Sequence, residues 1–369
     1  MGKLDKMIWN MKRKFSRRDF LKLSSIAIGA AALPTLSPAD LGLAAPSMGL
    51  GRATIRLGLM KRPRWVTDRV KYIDIDEVVT IYRAVMGQYE GKPSWHNYVW
   101  FEVEGGYLHS SWVQPVKNEP QTPVTSALPL NGLFGEVYVP YTEAYESPDT
   151  KSKIVYRLYY STVSKIDKIQ QVNGTTWYHL FDEEKPFGFW VDGKTTRIIT
   201  TEEITPISPD VTDKRIVADL DTHWLSAFEG KTEVFRTRFA SGASFFDPVS
   251  NQQKLYITPG GKHPISRKFV STHMAGGVAP NGYDLPGVGW VSIFATGGAA
   301  IHSTYWHNDY GRPRSHGCLN CTPDAAKWLF RWTTPEVTYS PGKIEVPWPG
   351  GTRVEIEGTP PTFTNDGSS

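Results

Sequence analysis

The stretch Ile301-His302-Ser303-Thr304-Tyr305-Trp306-His307, resumed at Ser315-His316-Gly317-Cys318-Leu319-Asn320, decides how this chain is read. A cysteine is a nucleophile only as thiolate, and an unperturbed thiol, with a pKa of about 8.5, holds little thiolate at neutral pH. A nearby imidazole can take the proton, which is the pairing that covalent acyl transfer uses. His302 and His316 are both candidates for that base. Gly317, directly before Cys318, can take a backbone angle closed to other residues and so aim consecutive N–H groups at a developing oxyanion. Shortly after, Thr322-Pro323-Asp324 opens a helix, with Thr as N-cap, Pro at the first helical position and Asp at the positive helix end. Ala325, Ala326, Trp328, Leu329 and Trp332 then follow helical spacing.

The residues around this stretch read as strands. Arg215 to Leu220 alternates, and His223–Glu229 with Val234–Phe239 reads as a hairpin turning at Glu229-Gly230-Lys231. Thr352–Ile356 is a closing strand. The expected fold class is mainly β: a β-sandwich over residues 214–358 with a short helix after the nucleophile.

His302, twelve intervening residues, then Ser315-His316-Gly317-Cys318-Leu319-Asn320 resembles the signature of L,D-transpeptidase catalytic domains of the YkuD type. The resemblance runs across residues 214–358. Ala240-Ser241-Gly242 is similar to the family's Ser-Thr-Gly turn, departing from it at Ala240 and Ser241. Thr258-Pro259-Gly260-Gly261 is similar to its Thr-Pro-x-Gly segment, and Leu285 to Trp290 to the stretch before its catalytic strand.

The resemblance implies that Cys318 attacks the carbonyl joining a peptidoglycan stem's diamino acid to its terminal D-Ala. His302 would serve as base, oriented by the main-chain carbonyl of Ser303, with the amides of His316, Gly317 and Cys318 around the oxyanion. The thioester would pass to an amine of a neighbouring stem, giving a 3→3 cross-link, or to a wall protein. It implies no metal and no cofactor. Trp290, Tyr305, Trp306, Arg314, Ser315 and Asn320 are candidates for holding the stem peptide. Core packing is an equal alternative for Trp290, Tyr305 and Trp306, as is a solvated loop for Arg312 and Arg314. His316 is expected to act through its backbone, its ring being structural. His307 reads as a surface or rim residue, and Asn320 as fixing its loop through backbone hydrogen bonds.

Rival readings follow from the same residues. Water in place of the acceptor amine would make the protein an L,D-carboxypeptidase. Cys318-Leu319-Asn320-Cys321 is a C-x-x-C ahead of a helix, as in thiol redox proteins. No βαβ pattern surrounds it, and that reading leaves His302 without a role. Zinc is a further rival, since His302, His307, His316, Cys318 and Cys321 are close in sequence, but zinc needs ligands facing one point. A wall-binding protein with an inert catalytic domain is the last.

Ahead of this domain, residues 54–116 and 136–205 read as two small β modules. The seams Lys117–Pro123 and Pro206–Asp210 follow them. Val78–Tyr82 with Val99–Val103, and Ile154–Leu158 with Thr176–Leu180, resemble a weak internal repeat. In outline they are similar to bacterial SH3-like modules. Residues 359–369 read as a disordered tail.

Residues 1–45 read as an address. Ser16-Arg17-Arg18-Asp19-Phe20-Leu21-Lys22, followed by the uncharged stretch Leu23–Ala39, resembles a twin-arginine export signal. Cleavage would follow Ala39 or Ala45. The expectation is a periplasmic or extracytoplasmic wall protein, touching the membrane only through an uncleaved leader. Eight of the 41 Lys/Arg and three of the 37 Asp/Glu lie in residues 1–45, so the rest carries 33 basic against 34 acidic groups. A near-neutral body gives no support for a nucleic-acid partner. Two cysteines in 369 residues exclude a disulfide-stapled scaffold.

Overall fold

Lys214–Asp219 alternates between buried and half-buried residues, with Ile216 and Ala218 inward. This strand sits centrally in the first of the two five-stranded sheets of the C-terminal domain. The structure, a computed structural model, describes residues 47–65, 68–88, 97–185, 187–247, 250–277 and 282–360. The leader at 1–45 and the tail from 361 lie outside the described residues.

The first sheet runs Thr232–Arg238, Trp224–Glu229, Lys214–Asp219, Arg353–Glu357, Gly261–Pro264. The expected hairpin is there, turning at Gly230 with φ 58°. The closing strand Arg353–Glu357 lies parallel to Lys214–Asp219. The second sheet runs Leu319–Cys321, Ala300–Ser303, Tyr283–Ile293, Arg267–Gly276, Lys343–Glu345. Ile216, Ala218, Val354 and Ile356 of one sheet share a core with Val270, Ile301, Leu319 and Cys321 of the other. Ala326, Leu329, Phe330 and Trp332 of the helix Pro323–Trp332 complete it. Burying each large apolar side chain stabilises by about 1.5–3 kcal/mol, so helix and sheets stand together.

The helix ends are closed by side chains. Thr322 is extended and its hydroxyl accepts the Ala325 N–H, with Pro323 at the first position, as the sequence predicts. At the other end the buried ammonium of Lys268 donates to the carbonyls of Phe330, Thr333 and Pro335 at 2.6, 2.7 and 2.8 Å. Lys214 adds a bond to the carbonyl of Trp332. Cations are favoured where helix carbonyls lack partners.

Two β modules precede this sandwich. In the first, Gly49–Ala53 lies between Val78–Ile81 and Val113–Val116. The module's sheet thus begins ahead of Thr54, the boundary expected from sequence. Glycine weakens a strand signal, yet Gly51 is needed here: a Cβ would stand 2.5 Å from a methyl of Val113. Five further strands form a second sheet in this module. The second module is one seven-stranded sheet, from Leu133–Val137 to Thr196–Ile198. The suggested repeat is therefore not matched by a shared sheet arrangement. Arg52 ties the first module to the sandwich: it is paired with Asp76 at 2.8 Å, lies over the Tyr159 ring of the second module and donates to the Tyr305 carbonyl.

Candidate active site

Ala300–Ser303 and Leu319–Cys321 pair in parallel, with Ile301 opposite Leu319, His302 opposite Asn320 and Ser303 opposite Cys321. Side chains alternate across a strand. Ile301, Leu319 and Cys321 therefore enter the core, while His302 and Asn320, with Cys318 just ahead of its strand, line a cavity of about 570 Å³. The two ends of the sequence motif thus meet on one face of adjacent strands.

His302 is buried, and its Nδ1–H donates to the carbonyl of Ser303 at 2.9 Å. That bond fixes the tautomer and leaves Nε2 as the proton acceptor. Burial pushes the imidazolium down to about 4, with the Ser303 carbonyl opposing it. Burial pushes the Cys318 thiol up to about 11, against a backbone hydrogen bond from Ala300. Both shifts favour the neutral forms at neutral pH, a thiol and an imidazole lining one cavity rather than a preformed ion pair. Ser303 is held in turn, its hydroxyl accepting the Gly289 N–H at 3.1 Å.

The turn before Cys318 is held from several directions. Gly317 has φ +111°, a region that L side chains rarely adopt. The Gly317 N–H donates to the Ser315 hydroxyl at 3.1 Å, and that hydroxyl donates to the Cys318 carbonyl at 2.7 Å. The Gly317 amide is therefore engaged within its own turn, where the sequence reading sets it around the oxyanion. Ala240-Ser241-Gly242 forms the bed for this turn. Ala240 exchanges backbone bonds with Asn320, and the Ser241 carbonyl accepts from both Arg314 and Ser315. A Cβ on Gly242 would lie 2.1 Å from the Tyr256 carbonyl oxygen, so this glycine admits no side chain without a shift.

The candidate substrate contacts separate. Trp306, Arg314, Ser315 and Asn320 line the cavity. Trp290 does not: it lies in the core, edge-on to Phe330. Its backbone has φ +59°, which breaks the alternation of its strand: Val288 and Val291 join one core while the Trp290 ring enters the other, between the sheets. Tyr305 is also buried, its hydroxyl donating to the Pro286 carbonyl at 2.8 Å. Both are corrections to the expectation of peptide-contacting rings. The His316 ring is stacked on Phe245 and packed against Tyr256 and Tyr283.

His307 is buried and lines the cavity, so of the two places expected for it the rim holds and the surface does not. Its Nδ1 accepts the Asp309 N–H at 3.1 Å, so its proton sits on Nε2, 2.9 Å from the Asn320 side-chain amide. That proton needs an acceptor, which turns Asn320 Oδ1 toward His307. With the amide turned the other way, Oδ1 is buried without a partner. Asn320 thus fixes a histidine through its side chain, besides its backbone bridge to Ala240. Met274, Tyr283 and Leu285 also line the cavity. Leu285 opens a stretch that the sequence singled out, whereas Met274 and Tyr283 carry no motif and only strand pairing reveals them.

Cys318 and Cys321 are both free thiols. Cys321 belongs to the core and Cys318 to the cavity, an arrangement that opposes the C-x-x-C redox reading. Among the described residues no three His, Cys, Asp or Glu side chains converge as metal ligands.

Residues 213–356 match the family YkuD, L,D-transpeptidase catalytic domain. No curated protein matches the chain. Among solved structures, an L,D-transpeptidase from Mycobacterium smegmatis is similar at 17% identity, over 74% of this chain and 99% of that one, with a TM-score of 0.30. The E. faecium catalytic domain is similar at 22% identity, over 39% and 97%, with a TM-score of 0.28. An L,D-transpeptidase from Xylanimonas cellulosilytica is similar at 22% identity and a TM-score of 0.28, and the match covers 42% of this chain and 63% of that one. On the family match and its motif residues, the segment 213–356 belongs to the YkuD family of L,D-transpeptidase catalytic domains.

Proposed function

We propose that this protein is an L,D-transpeptidase acting on peptidoglycan tetrapeptide stems, with Cys318 as nucleophile and His302 as base. The observation that carries the reading is the His302 Nδ1–H bond to the Ser303 carbonyl, with the Cys318 thiol in the same cavity. The carbonyl stands where a protease triad places a carboxylate. His302 Nε2 takes the thiol proton as sulfur bonds to the carbonyl carbon between the diamino acid and D-Ala. The C–N bond then breaks, D-Ala leaves with the proton from His302, and a thioester remains. An acceptor amine attacks it, forming the amide and restoring the thiol. The amides of the His316–Cys318 turn would steady the oxyanion. Gly317 joins them only after its N–H leaves the Ser315 hydroxyl.

The energy of the D-Ala bond suffices, which suits a compartment without ATP. The twin-arginine-like Ser16–Lys22 supports reading the site of action as outside the cytoplasmic membrane. The two modules are read as SH3-like and wall-facing, and a wall protein is a second possible acceptor. Mass spectrometry of a disaccharide-tetrapeptide treated with the protein tests the reading. A cross-linked dimer formed with loss of one D-Ala, and absent with Cys318→Ala, is expected. Tripeptide monomer alone means a carboxypeptidase, and unchanged substrate removes the enzymatic reading.

A further inference from the structure

The strands Arg267–Gly276 and Tyr283–Ile293 pair as a hairpin that serves two sides. Met274, Tyr283 and Leu285 line the cavity that holds Cys318. Their neighbours His273 and Asp284 meet the second module instead. The His273 side chain is fully buried there. Its Nδ1 lies 2.9 and 2.8 Å from the two oxygens of Asp182, and its Nε2 bonds to Asp284. A carboxylate only accepts, so both ring nitrogens must donate, and only the imidazolium has two N–H groups. Asp182 belongs to the second module and Asp284 to the hairpin. The proton on His273 is thus part of the joint between them.

The surrounding groups keep the charge in place. Glu183 accepts from the Thr272 hydroxyl and from the His273 N–H. Tyr156 donates to Asp284 and stands edge-on to the His273 ring. Lys185 lies 3.9 Å from Asp284. Burial works against the imidazolium, but Asp182 and Asp284 outweigh it and raise the His273 pKa above the ordinary histidine value.

We propose that His273 is a positioning residue that fastens the wall of the Cys318 cavity to the second module only while both its ring nitrogens carry protons, so that access to Cys318 depends on pH. Below the raised pKa both bonds stand. As pH climbs through it, one nitrogen turns from donor to acceptor, faces a carboxylate, and the joint is lost.

The test uses the full chain and two thiol reagents, iodoacetamide and fluorescein maleimide, with labelling at Cys318 followed by peptide mass spectrometry. Both consume the thiolate, so Cys318 ionisation cancels in the ratio of their rates. The bulky-to-small ratio should rise about tenfold as pH passes through the His273 titration. Asp182→Asn keeps the shape and removes a charge that favours the imidazolium, so the midpoint should move to lower pH. His273→Leu should give a high ratio at every pH. A flat ratio in the unmodified chain, or an unmoved midpoint in Asp182→Asn, overturns the proposal. The readout is thiol access, so it is independent of whether the protein transpeptidates.

Discussion

The guanidinium of Arg52 donates to the backbone carbonyl of Tyr305 across 2.8 Å, joining residues 253 apart in sequence. Tyr305 lies in the loop between His302 and Cys318. Arg52 is itself held by Asp76 and Gln114 and lies over Tyr159. The same loop is gripped at Asn308 by the carbonyls of Ser110 and Ser111 and at Arg314 by the ring of Trp112. Arg52→Met removes the central cation and leaves buried acceptors behind. We expect a loss of about 3 kcal/mol in stability and about a tenfold loss of kcat in properly folded protein. Urea unfolding and steady-state kinetics check both.

The neutral resting pair sets a pH signature. With the Cys318 thiol pushed up to about 11, its alkylation by iodoacetamide should climb about tenfold per pH unit toward that value, not level off near about 8.5. His302, held down to about 4, stays neutral above that pH, so kcat/KM should fall on the acid side only as pH drops toward it. His302→Gln should lower kcat by about 100- to 10,000-fold.

Gly317→Ala places a Cβ at φ +111° and 3.1 Å from the Ile257 carbonyl oxygen. Strain of about 1–3 kcal/mol falls on the turn that presents Cys318. Turnover should drop at least about tenfold, with stability lowered by about the 1–3 kcal/mol of strain. Kinetics beside thermal unfolding separate the two.

Cys321→Ala should keep full activity with and without reductant, because this thiol sits in the core away from the cavity. Its cost should be about 1 kcal/mol from lost packing. Thiol titration of the unfolded unmodified chain should find two free thiols. Dependence of activity on reductant in the unmodified chain alone would restore a redox role for the pair.

Lys268→Met strips a buried donor from three carbonyls at the end of the helix Pro323–Trp332. Each stranded carbonyl costs about 1–3 kcal/mol, so at least about 3 kcal/mol should be lost. Chemical denaturation measures it, and a wild-type midpoint would refute the capping role.

The sequence by itself determined four strands of the first sheet, the capped helix after Thr322, and the histidine and cysteine that share one cavity. Those signals are local: alternation along Arg215–Leu220, an N-cap followed by proline, and a histidine and a cysteine at a fixed spacing. Only the tertiary structure decided which aromatic rings face the cavity, because Trp290 and Tyr305 look the same in sequence whether buried or exposed. It also brought Met274, Leu285 and Tyr283 into the cavity that holds Cys318 and linked His307 to Asn320. The glycine-bearing strand Gly49–Ala53, whose place depends on Val113 and Ile81 filling the space a side chain would take, became visible the same way. These outcomes depend on strand pairing between distant segments. Local propensity carries no record of which segments will meet, so the buried bonds of Arg52 and His273 to partners more than 90 residues away could be seen only in the folded chain.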